Sequence, residues 1–553
     1  MAHASGSASV RFGTSGFRGR WGIEYTEPVV RDVTQAICDF LASEGLGGKV
    51  VTIGYDSRQH ADIAAGWCAD VVRRNGFAVH LTSRDTPTPA LAFYAGEVLS
   101  ERSAGVINCT ASHNPIDWHG IKFSLHDGSI SPPKATDFIS ERATAYRRRE
   151  IAPPDLGGST PRPTEWIDPR EAYCRWLLES GASDCRISLD HERMRTYFAD
   201  KLVIIDEMHG TGREYVRTLL DEIGVPYRVI HGERDPKLGG LHAANPEEPH
   251  IQALKDAVRE TGAAIGLGLD TDADRYGIVD RGGIYIEPNA ILAMLTRYLG
   301  PKRRLTGCVS TTYVTTHILE RIAADIPGNE AFRPAPGALP MHRRDPNYEV
   351  VRGDPSGMVT QNVFTVLTGL KYIIQVPQMD PDYRLLDDPP ADWRCRLLIG
   401  GEQASGLTSK GHIPDKDGMW AALLVLDMVA AFGRTLQEIW TETQSIYGGS
   451  ITAPINLPVP VEQKAPFIDS FLQAARDNGR LADMPVVFAG GIPGKYAELM
   501  LEDEAGNTDN YLHVRPSGTE PLVRVYLETA TENALDALKA NVDTRIQRLD
   551  TQT

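Results

Sequence analysis

The sequence predicts an α/β chain of several domains, on three observations. At 553 residues it exceeds what one hydrophobic core usually serves. Short apolar runs alternate with helix-like segments, the pattern of sheets layered with helices. Several polar motifs rich in Gly, Pro or Asp then follow the apolar runs, at the carboxyl ends of expected strands where α/β sheets place ligand sites.

Taken in chain order, 50–54 reads as a strand leading into Tyr55-Asp56-Ser57-Arg58, and 77–81 as a strand before the turn Pro87-Thr88-Pro89. Residues 104–108 read as a short buried strand before Thr110-Ala111-Ser112-His113-Asn114-Pro115. These lie in an expected first α/β domain, residues 1–165, which ends in a linker-like, Pro- and charge-rich stretch at 147–163. A second domain, 166–283, opens with the strand 201–206 and reaches the strand 265–269. The third, 284–449, carries strands at 307–310 and 397–399 and closes with a helical pattern from Trp420 to Ile446. The last, 450–553, holds strands at 512–514 and 522–527 around a polar loop. Its final helix places Leu535, Leu538, Val542 and Ile546 at helical spacing. No residue-level repeat relates these units.

The balance of 57 basic and 73 acidic residues, net charge −16, argues against general nucleic-acid binding. An anionic ligand must instead be met by locally concentrated Arg and Lys. The seven cysteines are scattered, odd in number and form no CxxC pair, which predicts reduced thiols and a cytoplasmic protein. Cys109, three residues before Ser112, admits a redox role but reads first as a small space-filler at a strand end. The first residues lack the apolar core of a signal peptide, and the most apolar helical run, 419–432, is too short to cross a bilayer and is interrupted by Asp427. No membrane partner is expected.

Four motifs carry chemistry. Ser112 on a loop leaving a strand, beside His113 and stiffened by Pro115, is a nucleophile mount, although a lone Ser there reads equally as a turn residue. Asp270, Asp272 and Asp274, at alternate positions, can turn their carboxylates toward one hard cation, and all-oxygen ligation suits Mg²⁺. A calcium EF-hand loop is excluded because Arg275 stands where its glycine is needed and Arg281 where its glutamate is needed. Glu402, in Gly401-Glu402-Gln403-Ala404-Ser405-Gly406, is a carboxylate able to read hydroxyl groups. Arg515, Ser517, Gly518 and Thr519 combine a guanidinium, two hydroxyls and an approachable backbone, which makes a phosphate site.

Together with Phe12-Gly13-Thr14-Ser15-Gly16-Phe17-Arg18-Gly19 at the start, this ordered set resembles the α-D-phosphohexomutase superfamily from Phe12 to about Tyr526. The resemblance implies three similar mixed-sheet α/β domains and a smaller C-terminal α+β domain around a central cleft. It also implies a phosphoserine at Ser112 that, with the three aspartates, holds Mg²⁺. Phospho-Ser112 would donate to a hexose monophosphate, and a glucose 1,6-bisphosphate intermediate would turn over and return its other phosphate. Lys122, His113 and Arg18 are the implied acid–base and charge-stabilising groups, with Lys122 first for proton transfer, a role that needs a lowered pKa. Asp56 and Arg58 would organise the loop. Arg275, Lys371, Glu402, Ser405 and Arg515–Thr519 would bind substrate.

The chain departs from the family pattern at Ala404, where serine is common, so that either Ser405 substitutes or one sugar contact is lost. His119 stands where asparagine is common. The run Gly411–Gly418 and Thr368–Lys371 look most like the phosphoglucomutase branch, which implies interconversion of glucose 1-phosphate and glucose 6-phosphate by a monomer or homodimer. Mannose, glucosamine or a specialised sugar phosphate is the alternative. A non-catalytic sensor ranks below these because Ser112, the aspartates and Lys122 all remain, and a phosphatase has no use for a second phosphate cradle. The segment 378–393 lengthens the loop before Glu402.

Overall fold

The computed structural model describes residues 9–13, 16–154, 163–179, 185–354, 361–517 and 522–550. Thr14 and Ser15 of the first motif, Gly518 and Thr519 of the last, and residues 155–162 of the expected linker lie outside them. The chain divides into two compact units: residues 1–288 with 369–375 and 404–437, and residues 289–368 with 376–403 and 438–553.

The first unit holds two mixed sheets. In one, the strands Ser103–Cys109, Val50–Tyr55, Ala78–Thr82 and Thr164–Ile167 run parallel as neighbours in that order, and Trp118–Ser124 and Phe17–Arg20 extend the first edge antiparallel. The helices Glu27–Ser43, Ala61–Arg74 and Pro133–Arg147 bury Val33, Ile37, Leu41, Ala65, Val72 and Ile139 against Val51, Ile53 and Ile107. The β-branched residues of Val50–Tyr55, buried on both faces, are what a central parallel strand requires. In the other sheet, Ile265–Leu269, Val203–Asp206 and Tyr227–Ile230 run parallel, with Tyr276–Asp280 and Ile284–Ile286 antiparallel beyond the first of them.

The helix Gly418–Phe432 packs on this second sheet and on the helix His191–Phe198. Asp417 caps it, accepting from the backbone N–H groups of Met419 and Trp420 at 3.0 Å, and Gly433 ends it at φ +65°. Asp427 does not interrupt it. The carboxylate is buried and accepts from Arg193 Nη2 at 2.6 Å, so a charge that breaks the apolar pattern is an internal ion pair. Among the described residues no single helix is long and apolar enough to cross a membrane.

In the second unit, Val363–Val366, Cys308–Thr312 and Leu397–Glu402 are parallel neighbours. A seven-stranded antiparallel sheet follows, built on Met484–Ile492, Tyr496–Leu501, Asn510–Pro516, Leu522–Thr529 and Ile451–Pro458. Helices Lys464–Asp477 and Glu532–Asp550 cover it, and Phe467, Phe471, Leu535, Leu538 and Val542 meet Leu512, Val514, Val523 and Val525. The strand Glu349–Arg352 joins this sheet on Met484–Ile492, although it lies within the third domain by sequence order. Strand patterning identifies strands but not which sheet each one enters.

Cys38, Cys68, Cys109, Cys174 and Cys308 are free and buried. Cys185 and Cys395 are disulfide-bonded, which corrects the reading of all seven as thiols; nothing in their sequence surroundings marks them.

Candidate active site

Ser112 sits three residues beyond the end of Ser103–Cys109, at φ +51°. A non-glycine residue holds that conformation only where its surroundings fix it. Here the fixing group is the fully buried Arg58. Its guanidinium donates to the carbonyls of Ser112 and Asn114 at 2.6 Å, of Pro115 at 2.7 Å and of Trp118 at 3.3 Å. Asp56 pairs with Arg58 at 3.3 Å and accepts from Thr110 Oγ1 at 2.7 Å, so an ion pair clamps the loop from below.

The three aspartates occupy the hairpin loop between Ile265–Leu269 and Tyr276–Asp280. Ser112 Oγ donates to Asp270 Oδ2 at 2.8 Å. One oxygen from each aspartate lies within 4.8 Å of the other two, and all three residues are buried. Lys122 Nζ donates to Asp272 Oδ2 and Asp274 Oδ2, both at 2.5 Å, and Lys416 Nζ lies 3.2 Å from Asp274. Thr88 Oγ1 donates to Asp272 Oδ2 at 2.6 Å.

Strand register explains how the cations converge. Arg18 faces Gly120 across the antiparallel pair, and Lys122, two residues on, shares that face. A Cβ at Gly120 would lie 2.3 Å from Arg18 Nη1 and 2.5 Å from Phe17 O and Thr110 O, so only glycine fits.

Asp272 Oδ1 and Asp274 Oδ1 are buried without a hydrogen-bond partner among the described residues. Orphaned carboxylate oxygens in an all-oxygen cluster fit a hard dication such as Mg²⁺. Burial, reinforced by Asp272 and Asp274, holds Asp270 well above the usual carboxylate range. Burial also acts to raise Asp274, but Lys122, Lys416 and Arg275 outweigh it and hold that carboxyl low. For Lys122, burial lowers the pKa and the attraction of Asp272 and Asp274 more than reverses it. The net shift is upward, opposite to what a base near neutrality needs. Burial and the neighbouring Arg275 keep His113 neutral, and its Nδ1 is 3.4 Å from Ser112 Oγ. Arg18 is lowered to about 10, chiefly by burial, and its buried Nη2 has no partner among the described residues.

The remaining predicted residues of the first unit are Arg275, Lys371 and Ser405. The backbone N–H of Arg275 donates to Asp270 Oδ1 at 3.1 Å. Lys371 is buried, which lowers its pKa, and it lies in the short helix Leu370–Ile373 after Gly369. Ser405 is buried at φ +58°, and its hydroxyl donates to Glu247 Oε1 at 2.9 Å. That hydroxyl is already engaged, and Ala404 has none.

In the second unit Glu402 ends its strand, half-buried, beside Gln403, whose side-chain oxygen accepts from Thr312 Oγ1 at 3.1 Å. Arg515 Nη2 donates to Tyr526 OH at 2.8 Å, and its buried Nε has no partner among the described residues. An unmatched buried guanidinium N–H fits an anion. Ser517 is buried, its N–H donating to Leu522 O at 2.9 Å.

Behind Arg515, the buried Glu498 gathers Arg343 at 2.7 Å, His342 at 3.2 Å and Tyr496 OH at 3.1 Å, and Tyr496 in turn meets His513 at 2.8 Å. Burial lowers both histidines, His513 to about 3. Below about pH 6.5 the unfolded chain takes up protons that the folded chain refuses, so stability falls as pH drops from there. Urea titrations at pH 7.5 and pH 5 should show a lower midpoint at pH 5. His513→Gln should narrow the gap.

Sequence reasoning did not assign Thr88, read only as part of a turn, or Lys416, whose signal was the run His412-Ile413-Pro414-Asp415-Lys416-Asp417-Gly418. Both contact the aspartate cluster.

The sequence matches the phosphoglucomutase/phosphomannomutase family in all four of its domains: alpha/beta/alpha domain I over 9–150, domain II over 183–283, domain III over 360–447 and the C-terminal domain over 473–545. A phosphoglucosamine mutase of Nocardioides sp. is 28% identical over 533 residues, covering 94% of this chain and 95% of that protein. Phosphoglucomutase 1 of Drosophila melanogaster is 25% identical over 466 residues, covering 79% and 72%. Among solved structures, a protein described as a phosphomannomutase from Thermus thermophilus superposes with a TM-score of 0.73 at 22% identity, covering 98% of this chain and 100% of that one. The open form of a Paramecium phosphoglucomutase gives 0.70 at 18%, covering 99% and 95%. On the four matched domains, the chain belongs to the phosphoglucomutase/phosphomannomutase family, the phosphohexomutases.

Proposed function

We propose that this phosphohexomutase is a phosphoglucomutase, interconverting glucose 1-phosphate and glucose 6-phosphate through phospho-Ser112 and glucose 1,6-bisphosphate. The observation that carries the reading is the Ser112 hydroxyl at 2.8 Å from Asp270, on a loop clamped by Arg58. Ser112 Oγ accepts and returns the phosphoryl group, and the clamp keeps that oxygen in place through both half-reactions. Mg²⁺ held by Asp270, Asp272 and Asp274 would draw charge from the phosphoryl oxygens. Lys122, Arg18 and Lys416 offset the charge that spreads over those oxygens in transit, and Lys122 delivers a proton to the departing oxygen of Ser112. Arg515 takes the phosphate that is not reacting, and Glu402 accepts from sugar hydroxyls.

Glucosamine phosphate is the second reading. Ala404 and the engaged hydroxyl of Ser405 leave one sugar contact unmade, which relaxes selection at the sugar ring. A comparison of kcat/KM for α-glucose, mannose and glucosamine 1-phosphates, with Mg²⁺ and a trace of the matching bisphosphate, tests both. Preference for glucose is the expected result, and preference for glucosamine transfers the assignment.

A further inference from the structure

Two cysteines that phosphoryl transfer does not use lie beneath the Ser112 loop. Cys109 ends the strand that leads into the loop, and Cys68 lies on the helix Ala61–Arg74 that follows Arg58. Both are free thiols, and their Sγ atoms are 3.8 Å apart. A disulfide bond of about 2.05 Å therefore asks the two sulfurs to close by roughly 1.8 Å.

We propose that Cys68 and Cys109 form a modification site, a dithiol that a hydroperoxide converts to an internal disulfide with loss of phosphoryl transfer. The Cys68 sulfur attacks one oxygen of hydrogen peroxide, the O–O bond breaks, and water leaves behind a sulfenic acid. The Cys109 sulfur then attacks the Cys68 sulfur, the S–O bond breaks, and the departing hydroxyl takes the Cys109 proton as a second water. Two thiols and one peroxide become one disulfide and two waters, each sulfur giving up one electron. The order of attack agrees with the thiols' environments. The hydrogen bond with Cys109 holds Cys68 below the ordinary thiol value, and the same contact together with burial raises Cys109.

The link reaches the catalytic loop through named contacts. Closure draws Cys68 away from Thr34, whose hydroxyl is 3.3 Å from its sulfur. It shifts Cys109 against Tyr25, a neighbour of that sulfur whose hydroxyl donates to Gly120 O at 3.2 Å on the strand carrying Lys122. The carbonyl of Cys109 accepts from the N–H of Asp56 at 3.1 Å, and Asp56 holds Thr110 and Arg58. Because both sulfurs are buried, only a small oxidant reaches them.

The test is to treat the full-length enzyme with hydrogen peroxide, alkylate it under denaturing conditions and map the peptides, assaying mutase activity in parallel. The expected result is a peptide pair linked through Cys68 and Cys109. Activity should fall at least roughly tenfold, since displacements near 1 Å at a catalytic group cost up to about 100-fold. A dithiol reductant should restore it to that of untreated enzyme given the same reductant. Cys68→Ala and Cys68→Ser should match the wild type before treatment and resist peroxide. Absence of the linked peptides, a linkage without loss of activity, or equal inactivation of the variants would overturn the proposal. The linkage is read in wild-type protein, so it stands apart from the folding of either variant and from which sugar the enzyme prefers.

Discussion

Replacing Ser112 by alanine lowers phosphoryl exchange between hexose phosphates at least about 10⁴-fold, the scale set by removing a covalent nucleophile. The loop survives the change. The groups that shape it are the backbone N–H of residue 112, which donates to Thr110 Oγ1 at 2.9 Å, and the carbonyls held by Arg58, all of which alanine keeps. Thermal unfolding therefore stays close to wild type. A steady-state assay beside a thermal melt checks both halves. Wild-type turnover in the variant would remove Ser112 from the reaction, and a large drop in melting temperature would make the serine structural.

Arg58→Met should cost about 3–5 kcal/mol of stability, the range for breaking a buried ion pair on one side. The substitution leaves Asp56 buried without its partner and frees four loop carbonyls at once. Adding Asp56→Asn removes the uncompensated charge and should recover part of the stability. Activity should remain low in the double variant, because nothing then holds Ser112 at φ +51°. Urea denaturation and kcat, measured on the single and double variants, separate the two effects. Recovery of both together would mean that Arg58 acts only through stability.

Much of this was legible in the sequence because the relevant signals are local. Alternation of strand and helix patterns located Val50–Tyr55, Ser103–Cys109, Ile265–Leu269 and Leu522–Thr529 within a residue or two at most ends. Three aspartates at alternate positions after an apolar strand announced a loop able to gather carboxylates. Contacts made across the chain were not legible. Thr88 reaches Asp272 from the start of the helix Thr88–Phe93, 184 residues away, and only the folded chain brings them together. The strand Glu349–Arg352 carries too little pattern to reveal its place in the C-terminal sheet. Asp427 looked like an interruption because a buried charge can be told from an exposed one only once its partner, Arg193, is known. The direction of the shift at Lys122 likewise depends on two carboxylates from another hairpin.

In the proposed reaction Ser112 carries the phosphoryl group beside the aspartate cluster. The most direct measurement is peptide mapping by mass spectrometry, on protein first stripped of phosphate and then given glucose 1,6-bisphosphate with and without Mg²⁺. The expected result is one phosphoryl group on the peptide bearing Ser112, dependent on Mg²⁺ and discharged by added glucose 1-phosphate. Phosphorylation at another residue, or an active enzyme that never carries phosphate on Ser112, would contradict it.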